Sequence, residues 1–388
     1  MLNSKRFQQS DFWADFKCAH GWSKITETYN DSQKVNILVR TFRAGFVNAS
    51  IAYVPLAPEY IPSSSVPGFE IQAQDEVNYI KSLGEFASQV KKSLPKNTLC
   101  LRFDIPLDIP TVEIRDDYVS RVPELASSAK VNIKKTSVDI QPPDSTFIDL
   151  TRSTDEIMAA MKNKWRYNVR YAAKHGVEVR AITANSPDFQ KDLDSFYELY
   201  KTTAARDGIG LHPKSYYEDL LKRGALVSTS STAANSGSTV ANSGSTVATE
   251  SNSTTNDSLV TLYIASHEGE DLAAIITLFQ KDEAIYLYGC SGNNKRNLMP
   301  AYLVQWTAIQ DAKNFGSKIY DFYGIPPTGD EGHPMHGLYL FKTGFGGPEV
   351  HRPGSFDIPL SWLYKPYTMA ENFRAFWHKK VMKKIRGR

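Results

Sequence analysis

At 388 residues the chain is long enough for two domains, each with a core of its own. Its 45 basic and 42 acidic side chains leave a net charge of +3, which excludes a protein that holds nucleic acid by bulk charge; any basic surface that matters must be local. Three cysteines, Cys18, Cys100 and Cys290, lie far apart without metal-ligand spacing, so neither a disulfide framework nor a zinc or other metal site is expected.

In chain order, Ser10 or Asp11 caps a short helix bearing Phe12, Trp13 and Phe16, with Gly21 to end it. Lys17 falls in its last turn, where a cation complements the helix dipole. Residues 34–54 alternate as strands, and residues 75–94 carry Tyr79, Ile80, Leu83, Phe86, Ala87 and Val90 at helical spacing. Leu99–Pro106 reads as a buried strand ending in Arg102 and Asp104. Spacing alone favours an ion pair between them; the alternative is that Asp104 orients a substrate amine.

Pro142, Pro143 and Asp144 mark a break, and residues 147–151 open a second unit. Ser153 and Glu156 form a capping box for a helix expected to run to Gly176. On it Lys162, Arg166, Arg170 and Lys174 recur every four residues, either as a solvated face or as a track for phosphates, and Arg180 follows with Glu178 as its local acid. A helix over 192–206 closes at Asp207-Gly208 and leads into His212, Pro213 and Lys214. Residues 228–258 are Ser/Thr/Asn-rich and repetitive, which predicts a disordered surface insertion without chemistry. Three strands (259–266, 270–279, 283–288), a helix (301–312) and a strand (319–322) come next.

The run Gly337–Gly347 reads as a strand that carries Lys342 between Phe341 and Phe345 and breaks into glycines. An ammonium in apolar surroundings is costly unless it meets an anion, so this is the layout of a site where one cation faces a developing oxyanion. The plainer alternative is a strand-end lysine whose head reaches solvent. Residues 373–388 are basic and acid-free with amphipathic spacing, suited to an anionic membrane surface, to tRNA or simply to solvent. No apolar run reaches the length of a membrane span and no leader pattern opens the chain, so a cytoplasmic location is expected.

Four segments in order, Tyr-x-Tyr-Gly-x-Ser (286–291), Pro-Ala-Tyr-Leu-Val-Gln (300–305), Tyr-Asp-Phe-x-Gly-Ile (320–325) and Leu-Tyr-x-Phe-Lys (338–342), resemble the Fem family of peptidoglycan-bridge aminoacyltransferases (FemX, FemA, FemB). The resemblance runs from the first tryptophans to about residue 360. It implies an α+β fold of two tandem GNAT-like acyltransferase domains, mixed sheets flanked by helices. The expected division is 1–145 with 351–388 as the first, precursor-binding domain and 146–350 as the second. The implied reaction moves an amino acid from aminoacyl-tRNA to the stem-peptide side-chain amine of UDP-MurNAc-pentapeptide or lipid II, with no cofactor, by a monomer, with peripheral membrane contact an added possibility.

Residue by residue, Trp13-x-x-x-Lys17 resembles the family motif whose lysine meets the precursor's phosphates. Leu101-Arg102-Phe103-Asp104 matches a family segment and leaves Asp104 a candidate proton acceptor. His212 stands where the family has an arginine in Arg-Pro-x-x-Tyr, while Tyr216 is kept; a histidine cannot make the arginine fork, and Lys214 is the available substitute. Tyr288 matches a tyrosine that meets the precursor. Lys342 matches the lysine placed at the developing negative charge and the leaving tRNA hydroxyl, with Phe341 walling the site. A tRNA donor gives the Lys162–Lys174 stripe its partner. Competing readings are another acyltransferase on this fold, acting on a protein N-terminus or small amine, and a non-catalytic tRNA- or membrane-binding protein.

Overall fold

The computed structural model describes residues 6–44, 47–59, 73–225 and 258–376. All but Ser258 of the expected insertion, and residues 377–388 of the basic tail, lie outside these. Two compact units emerge, one from Met1–Phe147, Tyr323–Thr343 and Gly347–Arg388, the other from Ile148–Phe322 and Gly344–Gly346. Residues 323–343, and Lys342 with them, therefore group with the N-terminal part of the chain.

The first unit begins with α1 (Asp11–Ala19), β1 (Ser23–Tyr29), β2 (Gln33–Ala44), β3 (Val47–Val54), α2 (Ala73–Val90), β4 (Thr98–Asp104), α3 (Val112–Ala129), β5 (Lys134–Lys135) and β6 (Asp144–Asp149), whose end passes into the second unit. That unit holds α4 (Thr154–Ala160), α5 (Asn163–Lys174), β7 (Glu178–Ile182), α6 (Phe189–Asp207), α7 (Lys214–Ala225), β8 (Leu259–His267), β9 (Glu270–Phe279), β10 (Glu283–Ser291), α8 (Pro300–Phe315) and β11 (Ile319–Asp321). The chain then returns to the first unit for α9 (His336–Thr343), β12 (Glu349–His351), β13 (Ser355–Pro359) and α10 (Tyr364–Phe376).

The sheet of the first unit runs β1-β2-β3-β4-β13-β5. Only β3 and β4 are parallel, and the crossover between them is α2, as a parallel pair requires. Val35, Ile37 and Val39 alternate inward from β2 and meet Ile80, Leu83, Phe86 and Val90 of α2 and Val122 and Leu125 of α3 in one core. In the second unit the strands run β11-β10-β9-β8-β7, with β10 and β11 parallel across α8. β8 and β9 are buried at nearly every position, so both faces of this sheet are covered. The architecture is the expected α+β one, with mixed sheets flanked by helices. Ser10 caps α1 by accepting from Trp13 N, the Ser153/Glu156 capping box is present, and Gly208 closes α6 at φ 70°.

Three expectations fail. The Lys342 segment is a helix, α9, not a strand. The difference matters because Tyr339 and Lys342, three apart, share a helix face but would point to opposite faces of a strand. The helix expected over 153–176 breaks in two, because Met161 and Lys162 are extended (ψ 152° and 145°) and Lys162 N donates to Gly344 O at 2.9 Å.

Arg102 and Asp104, consecutive on one strand face, do not pair. Arg102 is instead fixed bidentately to Asp357 of β13 (2.7 and 2.9 Å) and to Glu371 of α10 (3.1 and 3.0 Å), with Arg102 3% and Asp357 0% exposed. Removing one member of such a buried pair strands the other charge, so Arg102→Ala should lose about 3–5 kcal/mol in urea unfolding. Arg102→Lys, which keeps the charge but not the fork, should lose less.

Candidate functional site

Lys342 sits in the last turn of α9 and is 6% exposed. Its ammonium donates to two successive backbone carbonyls, Tyr323 O and, at 3.0 Å, Gly324 O. Both residues have positive φ, 50° and 64°, which turns the two carbonyls toward the same point. For tyrosine that backbone is uncommon and costs of order 1–3 kcal/mol. Carbonyl dipoles orient the ammonium without cancelling its charge. Phe341, the preceding residue of α9, is half-buried.

The side chain of Tyr323 leads to the second candidate. Its hydroxyl donates to Gln141 Oε1, the Gln141 side chain lies beside Tyr53, and Tyr53 donates its hydroxyl to Asp104 Oδ2. Ser355 donates to the other carboxylate oxygen, Oδ1. Lys342 and Asp104, both in the first unit, are thus joined by a run of side chains that the sequence reading did not include. Burial pushes the Asp104 carboxyl up to about 6, against the pull of the Ser355 and Tyr53 hydroxyls, which favour the charged form.

Lys17, third of the first unit's candidates, is half-buried in the last turn of α1. Its ammonium lies 5.5 Å from the Trp13 ring and 5.9 Å from the Trp22 ring, and the Arg40 guanidinium lies 5.5 Å from the same Trp22 ring. Burial, and then the Arg40 charge, lower the Lys17 pKa. Among the described residues neither cation has a carboxylate at ion-pair distance. Two cations sharing one indole without an acid leave a local excess of positive charge. Arg40 carried no motif to reveal it.

The second unit gathers the other three precursor candidates. His212 stacks on Tyr216 (centroids 4.0 Å apart, planes at 13°), and the Tyr216 and Tyr288 hydroxyls are 3.4 Å apart. Tyr217 packs edge-on to both tyrosines. Lys214 does not join them; it pairs with Asp194 at 2.5 Å.

Lys162, just before α5, and Arg170 and Lys174 on it are exposed. Arg166 turns inward instead, donating to Ala159 O (2.9 Å), Met161 O and Asn163 Oδ1, where it closes the end of α4. Arg180 finds acids well beyond Glu178, bridging Asp192 and Asp271 at 2.8 and 2.7 Å.

A family model described as the FemAB family matches residues 2–223 and 229–372. A lipid II:glycine glycyltransferase of Staphylococcus saprophyticus is 23% identical over 384 aligned positions, covering 90% of this chain and 87% of its own. One from Staphylococcus epidermidis is 22% identical, covering 97% and 93%. Among solved structures, a crystal structure of FemX matches with a TM-score of 0.67 at 17% identity over 95% of both chains, a likeness of fold.

Asp104 offers a direct check on the geometry. Ser355→Ala removes a donor to the charged form, so the carboxyl should titrate above about 6 in the variant, read from its 13C NMR shift. The sign for stability follows from the same value. The native state keeps a proton that the unfolded chain releases near 3.8, so this group favours folding fully below that pH and ceases to as pH rises through about 6. Asp104→Asn should flatten that part of the stability–pH curve.

Proposed function

The chain belongs to the FemAB family, and on that premise we propose that it is a transferase that adds an amino acid from aminoacyl-tRNA to the side-chain amine of a peptidoglycan precursor. The acceptor is lipid II, named for the relatives, or its soluble counterpart UDP-MurNAc-pentapeptide. The observation that carries the reading is the buried Lys342 ammonium, aimed by two backbone carbonyls and lying in the last of four ordered motifs.

The acceptor amine attacks the ester carbonyl of the aminoacyl-tRNA. A C–N bond forms, the C–O bond to the terminal ribose breaks, and the amine proton leaves. An activated ester and a free amine need no covalent enzyme intermediate, so the protein's work is positioning and charge stabilisation. Lys342 is assigned to the tetrahedral oxyanion and the departing hydroxyl, with Phe341 as a wall. Asp104, ionised above about pH 6, is assigned to the amine proton, with Tyr53 and Ser355 fixing its orientation.

The precursor's diphosphate is assigned to Lys17, with Arg40 beside the same indole. His212 stacked on Tyr216, with Tyr288 edge-on to Tyr216, is assigned to the precursor's sugar or base. Lys162, Arg170 and Lys174 are assigned to tRNA phosphates, each adding salt-dependent affinity. Among the described residues no helix is long and apolar enough to cross a membrane. Contact with a membrane surface is supported by Trp362, Met369 and Phe373, which are 83%, 72% and 65% exposed.

The deciding assay incubates purified protein with radiolabelled aminoacyl-tRNAs and either acceptor. Label should appear on one of them, and Lys342→Met should reduce the rate about a hundred- to a thousandfold. Absence of transfer to both acceptors would sink the reading.

A further inference from the structure

The first unit holds an open cleft of about 530 Å³ that none of the roles above uses. Among its lining residues are Thr111, Glu113, Thr328, Tyr339, Glu349 and His351, and none is a lysine or arginine. The cleft shares α9 with Lys342, Tyr339 lying one turn before it, and shares the loop that begins with the Tyr323 and Gly324 carbonyls.

Its acidic end is built. His351 and Asp144 are directly opposed on the antiparallel pair β12–β6, which places His351 Nδ1 at 2.7 Å from Asp144 Oδ1. Arg115, at 2.9 Å from the same Asp144 oxygen, balances that carboxylate behind the ring. With its side chain 4% exposed, His351 is fixed by this contact, and its Nε2 edge lies 4.0 Å from Glu349 Oε2. Glu349 in turn accepts from Tyr339 at 2.7 Å through its other oxygen. The cleft therefore presents two carboxylates, Glu349 and Glu113, beside the His351 ring edge and the hydroxyls of Thr111, Thr328 and Tyr339, with no lysine or arginine. A primary ammonium, three donors and no acceptor, is the group such a lining complements.

We propose that the cleft bounded by Glu113, Tyr339, Glu349 and His351 binds the primary ammonium group of an amino-acid-bearing substrate. Both partners of the proposed reaction carry such a group: the aminoacyl end has an α-ammonium beside its ester, and the acceptor has its side-chain ammonium. The naming of these two sources rests on the transferase reading; the binding itself does not.

The test is therefore a binding measurement that needs no turnover. The full chain is titrated with glycine methyl ester, with Nα-acetyl-lysine amide and with N-acetylglycine methyl ester, following the His351 ring signals by NMR, assigned with His351→Gln. At least one ammonium probe should shift the His351 signals while the acetylated ester leaves them unmoved. Glu349→Gln should weaken that probe about tenfold or more, and the exposed Glu113→Gln by a smaller factor in a chain whose packing is untouched. Preference for the glycine ester would assign the cleft to the donor end, and preference for the lysine probe to the acceptor. Silence of both ammonium probes, equal binding of the acetylated ester, or unchanged affinity in both Glu variants would overturn the proposal.

Discussion

A lysine ammonium withdrawn from water has to be met by acceptors, and in the first unit the backbone itself is bent to supply them. Tyr323 and Gly324 take up left-handed conformations in succession, and their carbonyls converge on Lys342 from outside its own helix. A glycine enters that region freely, whereas a tyrosine has to be held there. The holding is visible: the Tyr323 ring packs edge-on against Phe7 at 6.3 Å, and its hydroxyl reaches Gln141. Local strain at one residue thus fixes where a positive charge sits.

The same tyrosine also leads to a carboxylate. Through Gln141 and Tyr53 it leads to Asp104, buried and held by Ser355. Placed in contact, an ammonium and a carboxylate would neutralise each other and serve neither task well. Carried on separate side chains with Tyr323, Gln141 and Tyr53 between them, they can act on different atoms of a reaction, one on negative charge that develops and one on a proton that leaves. This is the physical basis of the roles proposed for the pair.

Much of the frame was legible because its signals are local. The alternation of β2, the helical spacing of α2, the Ser153 capping box and the glycine closing α6 each sit within one turn or one strand. The ordered motifs supplied Tyr288 and Lys342 as candidates, and separate family-like segments supplied Lys17, Asp104, His212 and Tyr216. What could not be read was the partners, because they come from far along the chain. Arg102 looked closest to Asp104 but is claimed by Asp357 and Glu371, more than 250 residues away. The break between α4 and α5 depends on Gly344, and the same break draws Arg166 out of an otherwise regular basic stripe. The eight residues of α9 are too few for periodicity to separate helix from strand, and a strand would set Tyr339 and Lys342 on opposite faces where the helix puts them on one. Arg40, Tyr53, Ser355 and His351 gave no signal at all, since each acquires its meaning only from the neighbour it meets.

The central claim is that Lys342 and Asp104 work as one device linked through Tyr323. A double-mutant cycle in transfer kinetics tests it most directly, using Lys342→Met, Asp104→Asn and the pair. The account predicts strong non-additivity, with the double variant scarcely slower than the slower single one, as for residues that act as a unit. Rate losses that multiply independently would contradict it.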